Sequence, residues 1–103
     1  MKIQIFNNSV ERFILSLEEN TKARAIHTID LLEKFGNKLR MPHSKKVSKN
    51  LFELRIQGQQ NVRILYTFHN NKAILLHGFI KKLPKIPKKE IELAIKRMAN
   101  IEQ

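Results

Sequence analysis

Five side chains in the second half of the sequence could handle a phosphodiester if one surface carried them all: Arg55, Arg63, His77, Phe79 and Lys81. Arginine grips phosphate with a planar two-pronged guanidinium. An exposed aromatic ring such as Phe79 can stack on a base. Histidine exchanges protons near neutral pH. A lysine among other cations is pushed toward its neutral, basic form. Such a set could cut RNA without a metal: the 2′-hydroxyl attacks the adjacent phosphorus, a guanidinium stabilises the charge that builds there, and a protonated group assists the departing oxygen. Glu53 is the acid expected beside them, paired with Arg55 or Arg63. The two-carboxylate pattern of a magnesium nuclease is missing, and His43, His69 and His77 lack metal-ligand spacing, so neither metal nor cofactor is expected. With no cysteine in the chain, thiol catalysis, thiolate-bound zinc, iron–sulfur clusters and disulfides are excluded.

Strand periodicity is what would gather these groups, because neighbouring residues of a strand point to opposite faces. Residues 51–58 alternate, 62–69 are rich in β-branched and aromatic residues, and 72–81 are nearly continuously apolar. Gly58 to Asn61 and Asn70-Asn71 supply turns, the second a two-residue hairpin. Strict alternation turns Phe52, Leu54, Ile56, Val62, Ile64, Tyr66, Phe68, Ile74, Leu76, Gly78 and Ile80 to the core. Outward go Glu53, Arg55, Gln57, Arg63, Leu65, Thr67, His69, Leu75, His77, Phe79 and Lys81, and Arg63 would have little stake in stability. A β-bulge would flip part of this set. Four of the five also have a plain structural reading: Arg55 and Arg63 as cross-strand partners of Glu53, His77 as a satisfied half-buried histidine, Phe79 as core in another register.

Upstream, residues 2–6 alternate as a short strand. Asn7, Asn8 and Ser9 offer helix caps, with Glu11 three residues beyond Asn8, and Val10, Phe13, Ile14 and Leu17 form one helical stripe. Asn20-Thr21 is expected to break that helix and cap the next, whose stripe is Ala25, Ile29, Leu32 and Phe35 and whose end is Gly36. Residues 37–50 read as a basic polar loop. After Pro84 and Pro87 a last helix carries Ile91, Ala94, Ile95 and Met98. The predicted fold is α+β, in the order β-α-α-β-β-β-α, an antiparallel sheet with its helices on one face and the other face open.

Composition fits one domain spanning residues 1–103, with 42 % hydrophobic residues for a modest core. The net charge of +11 is segregated. Residues 1–36 hold five cations and five anions, whereas 37–103 hold fifteen cations and four anions. A neutral scaffold bearing a cationic working face points to a polyanionic partner. No apolar run approaches the roughly 20 residues that span a bilayer, and the first residues lack a signal peptide's apolar centre, so a cytoplasmic protein without membrane association is expected.

The segments LFELRI (51–56), VRILY (62–66), LLHGFIKK (75–82) and PKKEIELA (87–94) resemble the phage-derived Gp49-like, or HigB-like, branch of the RelE/ParE toxin superfamily. The likeness is close over residues 39–97 and one of layout before that. It implies a RelE-like microbial RNase fold and the toxin of a type II toxin–antitoxin module. Such a toxin is a metal-independent endoribonuclease, or mRNA interferase, that cuts mRNA on the ribosome, touches 16S rRNA and stops translation. Its partner would be a cognate helix-turn-helix antitoxin of the HigA-like kind. The arginine of the VRILY strand, the most recurrent catalytic element, corresponds to Arg63. Arg55, His77 and Lys81 match further catalytic positions, and Lys45, Lys46, Phe79, Lys82 and Lys85 are expected on RNA. The C-terminal catalytic tyrosine of some RelE members has no counterpart, which leaves Lys81 and His77 as candidate bases. The alternatives are a gyrase-poisoning toxin like ParE and a non-catalytic RNA- or ribosome-binding domain.

Overall fold

The computed structural model describes residues 1–101. Its elements run β1 (Lys2–Ile5), α1 (Asn8–Leu15), α2 (Glu19–Phe35), a 3-10 turn (Gly36–Lys38), β2 (Ser44–Ser48), β3 (Leu51–Ile56), β4 (Val62–His69), β5 (Lys72–Ile80) and α3 (Lys88–Ile101). Local chemistry explains most boundaries. The Asn7 side chain accepts from the N–H groups of Ser9 and Val10 and starts α1. Gly36, at φ +56°, ends α2 in a conformation that side chains disfavour. Asn70 and Asn71, at φ +50° and +64°, close the β4–β5 hairpin as expected of a tight primed turn. One boundary differs from expectation. The break before α2 lies ahead of Asn20, and Glu18 is the cap: its carboxylate accepts from the N–H groups of Asn20 and Thr21 and from the Thr21 hydroxyl. Those bonds, the Asn20 N–H first, hold the Glu18 carboxyl below its ordinary value.

The five strands form one sheet in the order β1-β5-β4-β3-β2. Three of its neighbouring pairs are antiparallel, but β1 lies parallel to β5, with Lys2 opposite Lys72. The sheet is therefore mixed, not antiparallel throughout. The extra strand β2 comes from the supposed loop 37–50: Ser44, Lys45 and Lys46 face Leu54, Glu53 and Phe52. Its polar sequence hides it, because an edge strand with lysines along it has no apolar alternation to show.

The helices occupy both faces, which corrects the expectation of one open face. On the first face, α1 and α2 bury Val10, Ile14, Leu17, Ala25 and Leu32 against Leu54, Ile56, Val62, Ile64, Tyr66, Ala73 and Leu75. On the second, Ala94 of α3 packs with Leu51, Leu65, Ile74, Leu76 and Phe79. Ile64 and Leu65 are neighbours in β4, so their two clusters lie on opposite sides of the sheet. The α3 stripe holds through Ile91, Ala94 and Met98, whereas Ile95 is 43 % exposed.

A bulge in β5 accounts for the misplaced residues of that strand. Leu65 faces His77 and Tyr66 faces Leu75, leaving Leu76 with no opposite number. Before the bulge the sides are exchanged: Leu75 enters the first core, and Ile74 and Leu76 enter the second. Beyond it Gly78 and Ile80 point to the first core as expected. Gly78 is needed there, because a Cβ would lie 2.5 Å from Cδ2 of Phe13. Tyr66 is buried as expected, its hydroxyl bonded to that of Ser44.

Candidate functional site

At the end of the second face that carries β2, β3 and the start of α3, the sheet presents charge in place of apolar side chains. Glu53 and Arg55 stand two apart on β3, and Arg63 lies directly opposite Arg55 on β4. The Glu53 carboxylate contacts both guanidinium groups, Oε1 lying 3.4 Å from Nε of Arg55 and 3.7 Å from Nε of Arg63. The expectation that Glu53 pairs with one arginine is met by both. These are charge contacts without hydrogen-bond geometry, and both Nε–H groups are buried without a hydrogen-bond partner. Arg63 is only 3 % exposed. Burial pushes its guanidinium below its ordinary value, opposed by Glu53 and reinforced by Arg55. It lies on the expected face, yet under the surface rather than on it. Next to the α3 core, the alternation that turns it away from α1 and α2 turns it into a second interior.

Above this triad lies an open cleft of about 490 Å³, lined by Lys45, Lys46, Glu53, Arg55, Lys81 and Lys85 with an apolar wall of Val47, Ile86 and Ile91. Arg55 reaches it with a partly exposed side chain, and its backbone N–H donates to the His43 carbonyl at 2.8 Å. Lys81, just past β5, is tied by its N–H to the Asn61 carbonyl at 2.7 Å. Lys45 faces Glu53 across the β2–β3 pair and so stands on the same side of the sheet. The cleft thus gathers four of the expected lysines and one of the expected arginines around a single carboxylate. Such a site attracts polyanions and can neutralise phosphate charge.

Two expected site residues lie elsewhere in character. Phe79 is 6 % exposed, packed in the α3 core, and stacks on His77 with ring centroids 5.6 Å apart. Its ring is not free to stack on a base, because α3 covers the face that was expected to be open. His77 is half-buried, its Nε2 lying 3.0 Å from Glu90 Oε1 of α3. It fastens that helix to the sheet and does not line the cleft. Lys82 is exposed on the connection to α3. The Ile86 and Ile91 part of the apolar wall and the Glu90 partner are invisible in the sequence, since both depend on α3 folding back over the sheet. Among the described residues no cluster of three or more histidine and carboxylate side chains is placed to hold a metal ion.

These features define a small α+β domain with a basic cleft on a mixed sheet. Residues 12–99 match the family described as phage derived protein Gp49-like (DUF891), and the chain belongs to that family. The match runs from within α1 to within α3 and includes every residue of the cleft. No curated protein matches the chain. No helix among the described residues is long and apolar enough to cross a membrane.

Proposed function

We propose that this protein is the toxin of a type II toxin–antitoxin module, an mRNA endonuclease of the RelE/HigB kind that acts on the ribosome in the cytoplasm. The observation that carries the reading is the cleft: Arg55, Lys45, Lys46, Lys81 and Lys85 converge on one surface of a chain whose net charge is +11. In this reading the RNA backbone tracks the lysines and the scissile phosphate sits against Arg55. Arg55 neutralises the charge that builds on phosphorus as the 2′-hydroxyl attacks. Lys81 is the proton-transfer group, since it lines the cleft and His77 does not. Arg63 acts from below, holding Glu53 and through it the position of Arg55. A helix-turn-helix antitoxin would block the module by covering this surface. A non-catalytic RNA- or ribosome-binding domain is the second reading, favoured by the burial of Arg63 and Phe79, which leaves the cleft with fewer reactive groups.

The test is a purified translation system with primer extension along the mRNA. Wild-type protein should yield cuts within codons, and Arg55→Ala should lower the cutting rate by about 10²–10³, as for losing one charge-stabilising donor. Ribosome binding without cuts would select the non-catalytic reading. Neither binding nor cuts would reject both.

A further inference from the structure

A second basic pocket lies at the edge of the sheet, where β3 runs on past the start of β2. It has a volume of about 210 Å³, and its walls include Arg24 and His27 of α2, His43 of the turn before β2, and Arg55 and Gln57. None of the described residues that line it is acidic. Arg24 and His27 are three apart and so share a face of α2. Arg24 lies across the β3–β4 turn at Gly58, where a Cβ would come within 3.2 Å of its Cδ. The His43 carbonyl accepts the Arg55 N–H at 2.8 Å, which fixes the turn before β2 to β3. The walls are therefore set by packed elements, and the charge-balanced first third of the chain contributes Arg24 and His27.

Arg55 lines both this pocket and the cleft. One residue thus borders two basic hollows at this end of the sheet. Two arginines on one pocket repel one another unless an anion lies between them, and the Glu53 carboxylate that contacts Arg55 lines the cleft, not this pocket. The two arginines and the two histidines all offer N–H donors, which suits phosphate oxygens. We propose that this pocket is a second phosphate subsite, holding a phosphodiester of the same RNA strand next to the one in the cleft, with Arg55 shared by both. The proposal rests on reading the cleft as an RNA site.

The experiment measures binding of fluorescent 2′-O-methyl oligouridines, which cannot be cut by 2′-hydroxyl attack, at lengths of two and eight nucleotides across a salt series. Arg24→Gln with His43→Gln removes one guanidinium and one imidazole from the pocket and leaves the shared Arg55 in place. His27→Gln is a milder second variant, and Lys45→Gln with Lys81→Gln tests the cleft. Melting temperatures confirm that each variant is folded. The pocket variant should bind the octanucleotide about tenfold more weakly, and its salt slope should be shallower by about 0.7 for each phosphate that the protein no longer neutralises on a single strand. The dinucleotide should be affected less than the octanucleotide. His27→Gln should show the same pattern, more weakly. If the pocket variants match wild type while the cleft variant loses affinity, the subsite is refuted and the cleft reading stands. If only the pocket variants lose affinity, the pocket is an RNA site and the cleft reading falls. If neither loses affinity, both fall.

Discussion

Arg63→Ala should unfold this protein more readily than almost any other substitution of a charged residue. The change leaves the Glu53 carboxylate, 7 % exposed, with Arg55 as its ion-pair partner. Breaking a buried ion pair from one side costs about 3–5 kcal/mol, because the surviving charge stays desolvated. The Glu53 contacts, at 3.4 and 3.7 Å without hydrogen-bond geometry, place the cost at the low end, about 3 kcal/mol. For a domain of this size each kcal/mol shifts the melting temperature by roughly 4–8 °C, so a fall of about 12 °C or more is expected. The assay is thermal and denaturant unfolding followed by circular dichroism. Glu53→Gln combined with Arg63→Met removes both charges and keeps the volume, and it should recover most of the loss. An Arg63→Ala protein within about 0.5 kcal/mol of wild type, the range of an ordinary surface change, would refute the buried-triad reasoning.

Two further predictions concern the scaffold. Glu18 titrates lower in the folded chain than unfolded, so its contribution to stability is complete above the ordinary glutamate range and is lost as pH falls through the folded value. The melting-temperature deficit of Glu18→Ala should therefore be largest near neutrality and shrink as pH falls below the ordinary glutamate range; a deficit that stays constant on acidification would contradict the capping role. Gly78→Ala should cost about 1–3 kcal/mol through collision with Phe13, whose Cδ2 and Cε2 would lie 2.5 and 2.6 Å from the new Cβ. Phe13→Leu in that background should restore part of the stability, and an unchanged melting curve for Gly78→Ala alone would show that α1 shifts without cost.

The alternation of β3 and β4 is legible because every second residue is apolar and the turns carry Gly58, Asn70 and Asn71. From that pattern alone, Glu53, Arg55 and Arg63 fall on one face, as they do in the structure. Strand β2 is not legible: Lys45, Lys46 and Ser48 are held by their partners in β3, not by their own pattern. The bulge at Leu76 also leaves no mark, since Ile74, Leu75 and Leu76 suit either side of a sheet buried on both faces. That double burial is itself written in the composition of β5. Residues 72–80 are nearly continuously apolar, which signals a strand covered on two sides and hence a helix over the face expected to be open. Phe79 and Arg63 fall on the predicted side but lie under α3 or beside it, because accessibility depends on where a distant helix comes to rest.

The parallel pairing of β1 with β5 sets an order of events during synthesis. Lys2 finds its neighbour only when Lys72 has been made, and Ile5 waits for Leu75. Any crossover joining two parallel strands closes a long loop before its hydrogen bonds form, and such non-local contacts slow folding. The helical hairpin that opens this crossover also lacks most of its sheet until β3, β4 and β5 exist, so neither layer of the first core can be completed early. Lys81, Lys85 and Ile91 come later still. A nascent chain stalled before Leu75 thus carries an incompletely paired first strand and an unfinished cleft, and the basic surface is assembled only after all five strands have been made.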